Sequence, residues 1–168
     1  MGAIASGGVR VLSPDPLRVL KISPEVVDRI AALEQQELDR CERDYRLGRP
    51  FPDLHGATVI LVDDGVATGS TMLAAVHALR QHCPSAIIAA APVMSQSARQ
   101  MLLREADWCE AVAVPERFEA VGMWYHDFAQ TTDDEVRTLL RGATAAPAAT
   151  ANSASAPANE EGRYAGRR

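Results

Sequence analysis

Residues 58–71 constrain this chain more than any other stretch. Thr58-Val59-Ile60-Leu61-Val62 is an uninterrupted, largely β-branched run that ends in two acids, Asp63 and Asp64. Seven small or hydroxylated residues follow: Gly65, Val66, Ala67, Thr68, Gly69, Ser70 and Thr71. A run that is apolar at every position suits a strand covered on both faces, the usual situation in a parallel sheet. After the loop, Met72, Val76 and Leu79 recur at helical spacing, so a helix is predicted from about Gly69 to His82.

The pattern then repeats. Ala86–Val93 reads as a second apolar strand, Gln96–Glu105 as a helix, and Trp108–Val114 as a third strand stopped by Pro115. Strands alternating with helices predict βαβ units, right-handed crossovers and an α/β parallel sheet with helices on both faces. Ahead of this block, residues 1–12 read as a short hairpin turning at Ser6-Gly7-Gly8. A long helix is expected from Pro24 to Leu47, with Ser23 at its N-cap and Gly48 and Pro50 as its stop. Its apolar stripe would be Val26, Ile30 and Leu33. Asp39–Arg43 and Glu42–Arg46 are spaced to pair on its charged half, either as a plain solvated face or as a hood over an anionic ligand. A last helix is expected from Asp133 to Arg141, with Thr131 or Thr132 at its cap. From residue 142 to 168 the sequence holds almost no large apolar side chain, which predicts a disordered tail beside a single domain at 1–141.

Composition narrows the function classes. The 168 residues carry a formal charge of -5, which argues against a nucleic-acid partner. No apolar run approaches the roughly 18 residues of a membrane span, and no signal peptide is evident at the start. Three cysteines without CxxC spacing, Cys41, Cys83 and Cys109, fit a reduced, cytoplasmic setting better than disulfides or zinc. His55, His77, His82 and His126 form no ligand set, although His126 stands next to Asp127.

Chemistry concentrates in residues 63–71. A small-residue loop that opens a helix offers several backbone N–H groups to one phosphate, with the helix dipole behind them. Thr68, Ser70 and Thr71 add hydroxyls. Asp63 and Asp64 would repel phosphate, and instead suit sugar hydroxyls or the vicinity of a metal ion. In an open α/β sheet, ligands bind at the carboxyl ends of strands. A Walker loop would need lysine before Ser70, and a dinucleotide fingerprint would need G-x-G-x-x-G; neither is present. The residues therefore point to a sugar-phosphate site.

The stretch Val59–Thr71 resembles the PRPP-binding signature of type I phosphoribosyltransferases: four apolar residues, two acids, and a short loop ending in Thr-Gly-x-Thr/Ser. The likeness extends over about residues 1–141. There the glycine-rich hairpin, the charged helix, Tyr45-Arg46-Leu47-Gly48-Arg49-Pro50 and the signature follow in the order of a group of bacterial phosphoribosyltransferases of unassigned acceptor. The resemblance implies the Rossmann-like sheet of that family. It implies that Asp63 and Asp64 hold the ribose hydroxyls in a catalytic role. It places the 5'-phosphate on Gly65, Val66, Ala67, Thr68, Gly69, Ser70 and Thr71, and brings magnesium with the pyrophosphate of PRPP. Phe118–Phe128 is similar to the segment that closes over the base in hypoxanthine-type enzymes. By that likeness Phe118 or Trp124 would stack on the base, Val121 would line the site, and Asp127 would stand near pyrophosphate and metal. The bland alternative is that Phe118, Trp124 and Phe128 cap the sheet.

The sequence departs from the family pattern at two places. The N-terminal helix, strand and pyrophosphate loop that normally precede the hairpin have no counterpart before Met1, so the chain reads as an N-terminally truncated domain. The Thr58–Val62 strand is then expected at a sheet edge, which is a site for association. The single lysine, Lys21, is far from Val114, where purine-type enzymes read the base. Two function classes follow. One is a cytoplasmic transferase of nucleotide metabolism, moving a phosphoribosyl group from PRPP to a nucleobase-like or amine acceptor. The other is a module that binds PRPP or a nucleotide 5'-phosphate without turnover. Small molecules are the expected partners, and a homodimer is compatible with the fold.

Overall fold

The computed structural model describes residues 2–12 and 18–145. Strands β1 (Gly2–Ala5) and β2 (Val9–Leu12) form an antiparallel hairpin around a single 3-10 turn at Ser6–Gly8. Helix α1 (Pro24–Arg46) starts at Ser23 with proline in its first turn, and ends at Leu47 in the left-handed conformation. Strand β3 (Thr58–Val62), helix α2 (Ser70–Arg80), strand β4 (Ala86–Val93), helix α3 (Gln96–Glu105) and strand β5 (Trp108–Ala113) complete two βαβ units. A 3-10 turn at Val121–Trp124 and helix α4 (Asp133–Ala145) follow.

The three long strands are parallel in the order β3-β4-β5, with Ile60 opposite Ile88 and Ala89 opposite Cys109. β3 is thus the edge strand, as the sequence leads one to expect. Both crossover helices lie on one side, which a sequential strand order requires if the crossover hand is kept. That side buries the core: Met72 from α2, Ala89 and Ala91 from β4, Ala98 and Leu102 from α3, and Cys109 from β5, with Val66 and Met94 closing its end. The opposite face holds Ile60, Val62, Trp108 and Val112 at 61, 74, 55 and 91% exposure. The fold class is the expected one, but among the described residues helices cover only one face. The apolar character of alternate positions in β3 and β5 is legible in sequence, while what lies against them is not.

α1 corrects its predicted stripe. Val26 is half-buried as expected, but Ile30 and Leu33 are exposed. Val27, Ala31, Leu38 and Cys41 are half-buried instead. This set follows the 100° advance per residue along the side that meets the hairpin. Glu42 does pair with Arg46, at 3.7 Å. Asp39 instead accepts a hydrogen bond from Gln35 at 2.8 Å.

Helix α4 starts with a reciprocal cap. The Thr132 amide donates to Glu135 Oε2 at 2.8 Å, and the Glu135 amide donates to Thr132 Oγ1 at 3.3 Å. The helix runs through Gly142 to Ala145, four residues past the predicted end at Arg141. Ala143 and Ala145 are strong helix formers, and they offset the roughly 1 kcal/mol that an interior glycine costs. The remainder of the predicted tail, 146–168, lies outside the described residues. Among those described, no helix is long and apolar enough to cross a membrane.

Candidate active site

The loop between β3 and α2 is tied to β4 at Asp63 and Val66. The Asp63 amide donates to the Ala90 carbonyl at 3.2 Å, carrying the β3–β4 ladder one residue past the strand. The Val66 amide donates to Val93 O at 2.9 Å, and the Ser95 amide donates to Val66 O at 2.9 Å. The Ser95 side chain adds to this: its hydroxyl donates to Ala67 O at 2.6 Å and accepts from the Ala98 amide at 3.1 Å, so it caps α3 and fixes the loop at once. The amides of Ala67, Thr68 and Gly69 have no hydrogen-bond acceptor among the described residues. They stand at the N-terminus of α2, where the dipole is positive. Three free donors at that position form a cradle suited to an anion.

Two glycines make the loop possible. Gly69 has φ +77°, a left-handed conformation, and a Cβ there would lie 2.4 Å from Met101 Cε. Gly65 is enclosed, and a Cβ would lie 2.5 Å from Val121 Cγ1. Thr68 and Ser70 hydroxyls are 3.4 Å apart across the turn.

The two acids differ. Asp63 is half-buried and its Oδ1 accepts the Asp64 amide at 2.9 Å; Asp64 is exposed. Burial pushes the Asp63 carboxyl above its ordinary range, partly offset by that amide. A half-buried acid beside an exposed one at the mouth of a phosphate-sized cradle can accept hydrogen bonds from vicinal hydroxyls.

The segment after β5 folds over this loop. Val121 packs at Gly65, and Tyr125 Oη donates to the Asp64 carbonyl at 2.5 Å. Tyr125 also packs against Phe128, ring centroids 5.3 Å apart. Tyr125 therefore belongs to the site, and sequence reading passed over it in favour of Phe118 and Trp124. Phe118 is half-buried and Trp124 exposed, and neither makes a ring contact among the described residues. Ser95 was likewise missed, although its position between a strand end and a helix start marks it as a cap. Asp127 Oδ1 accepts from the Ala129 amide at 3.0 Å, which leaves its other oxygen available to a cation. Among the described residues no group of three His, Cys, Asp or Glu side chains forms a metal cage. One or two carboxylates with substrate oxygens and water suit magnesium, which seldom occupies an all-protein cage. Two of the histidines have other neighbours: His77 is 3.2 Å from Glu105, and His82 stacks on Phe51.

A parallel sheet whose first described strand ends in two acids, followed by an amide-lined loop and a helix, defines an α/β domain with an anion-suited turn at a strand end. Comparison with known proteins makes this more specific. The phosphoribosyl transferase domain profile matches residues 3–121, and the chain belongs to that family. It is 36% identical over 139 residues to a protein named as a putative phosphoribosyl transferase in two strains of Mycobacterium tuberculosis. That match covers 83% of this chain and 31% of the relative, so the chain spans about a third of the length of the curated relatives it matches. The crystal structure of TT1426 from Thermus thermophilus superposes with a TM-score of 0.65 at 39% identity, covering 83% of this chain and 65% of that one.

Proposed function

We propose that this chain carries the PRPP-binding half of a phosphoribosyltransferase reaction: transfer of the 5-phosphoribosyl group of magnesium-bound PRPP to a nucleobase-like or amine acceptor, with release of pyrophosphate. The observation that carries the reading is the set of free amides at Ala67, Thr68 and Gly69, beside the carboxylates of Asp63 and Asp64. In this reading the loop from Gly65 to Thr71 anchors the 5'-phosphate. Asp63 and Asp64 accept hydrogen bonds from the ribose 2'- and 3'-hydroxyls and favour the positive charge that develops on the ring. Asp127 offers its free oxygen to magnesium, and Tyr125 holds the end of the cradle through Asp64. When bound, magnesium would neutralise negative charge on the pyrophosphate. The acceptor nitrogen forms its bond to C1 as the C1–O bond breaks; the electron pair leaves with pyrophosphate and the nitrogen gives up its proton to water. Phosphate anchoring far from C1 is then used to hold C1 in line.

Calorimetry with PRPP and magnesium, against ribose 5-phosphate, tests this directly. Tighter binding of PRPP, together with pyrophosphate release across an acceptor panel, supports transfer. Equal binding of the two without release supports the binding-module reading. No binding of either overturns both.

A further inference from the structure

A cavity of about 570 Å³ lies between the hairpin and α1, and no residue of 118–128 lines it. This volume is that of an ordinary small-molecule pocket. Its walls are aliphatic, with Ile4 and Leu12 from the hairpin and Val27, Ile30 and Leu38 from α1. Thr71, the last residue of the loop that cradles phosphate in the proposed function, also lines it. Three charged side chains reach the cavity: Arg10, Glu34 and Glu37. Arg10 is held by Asp28 at 2.6 Å, and Glu37 by Arg40 at 2.6 Å. Glu34 has no partner among the described residues, so the cavity keeps one uncompensated carboxylate.

This lining fits some ligands and disfavours others. A nucleobase presents alternating donors and acceptors along its edge and a flat π-face. Among the described residues the cavity offers no aromatic ring, no lysine and no side-chain amide. Aliphatic walls with a single free acceptor-only anion complement an apolar body that carries one N–H-bearing group.

We propose that this cavity is a binding site for an apolar primary amine, separate from the acceptor position beside C1. Glu34 takes the amine's hydrogen bond, and the aliphatic walls enclose its hydrocarbon.

The test uses the full chain with cyclohexylamine as probe, and cyclohexanol and hypoxanthine as comparisons, in calorimetry and NMR. Cyclohexylamine should bind saturably and more tightly than either comparison. Its ring protons should show NOEs to the methyl groups of Ile30, Leu38 and Thr71. Glu34→Gln should weaken the amine about tenfold, the scale of a hydrogen bond to a charged group. Ala31→Trp should abolish binding by filling the cavity. Glu34 is an exposed helix position, so the Gln variant stays informative if the tryptophan variant fails to fold. Ribose 5-phosphate should bind Glu34→Gln as it binds the parent chain. Absence of saturable amine binding, equal binding of cyclohexanol, an unchanged affinity in Glu34→Gln, or NOEs confined to other residues would overturn the site. Amine binding with no ribose 5-phosphate binding would uphold the amine site and remove the phosphoribosyl reading. Ribose 5-phosphate binding with no amine binding would do the reverse.

Discussion

Tyr125 donates its phenol hydrogen to the backbone carbonyl of Asp64 at 2.5 Å, joining residues 61 apart in sequence. The bond ties the segment after β5 to the residue that ends the acidic pair. Tyr125→Phe keeps the ring packed on Phe128 and removes only this bond. It should cost about 1 kcal/mol in urea unfolding, the net worth of a typical hydrogen bond. It should also weaken ribose 5-phosphate binding, because the Asp64–Gly65 end of the cradle loses its tether. Unaltered affinity would show that the tether does not shape the cradle.

The acidic pair separates stability from activity. Burial raises the Asp63 pKa, so its ionised form is the one the fold disfavours. The penalty is absent below the unfolded value of 3.8 and complete once pH passes the raised native value. Asp63→Asn should therefore leave the protein at least as stable at neutral pH and flatten that part of the pH–stability curve. Combined Asp63→Asn and Asp64→Asn should lower phosphoribosyl transfer by roughly a hundredfold or more, the scale seen when a group facing developing charge is removed. Retained turnover in a folded double variant would eliminate the proposed role.

Gly69 permits the turn into α2. Gly69→Ala places a side chain at φ +77°, which costs about 1–2 kcal/mol for an L-residue, and forces Met101 to move. A lowered thermal midpoint is expected, with loss of ribose 5-phosphate binding as the free amides change direction. A variant with parental binding would show that the amide cradle tolerates a different backbone.

Helices α1 and α4 are latched by Asp133. It accepts from Tyr45 Oη at 2.6 Å and from Arg40 at 2.8 Å. These bonds hold its pKa below 3.8 and push that of Tyr45 up to about 12. A depressed acid stabilises the fold above its unfolded value and loses that contribution as pH falls through the native value. Amide exchange in α4 should accelerate in Asp133→Asn at neutral pH, and in the parent chain only under acid. Identical α4 protection in the two proteins at pH 7 would mean the latch contributes nothing.

Much of the architecture could be read from local pattern. The boundaries of β3, β4 and α3 coincide with the predicted ones, because a continuous apolar run bounded by Gly, Pro or acids is a short-range signal. Residues 63–71 were legible for the same reason: strand end, acids, small residues and helix start are contiguous. The predicted stripe on α1 failed at Leu33 because three apolar residues do not say which side meets a hairpin that folds back from another part of the chain. The predicted stop of α4 failed at Gly142, where alanines carry the helix onward.

Residues 58–71 by themselves determined a parallel strand, an acid pair and an anion-binding turn, since each depends on side-chain size, charge and backbone freedom within one short segment. Only the tertiary structure decided that Ser95 and Tyr125 complete the turn, that Asp133 fastens α1, and that a cavity opens beside Thr71. The first three contacts bridge 28, 61 and 88 residues, respectively, between Ala67 and Ser95, Asp64 and Tyr125, and Tyr45 and Asp133. Contacts of that span are set by how β5 and the helices pack around a shared core, and no periodicity within one segment encodes that packing.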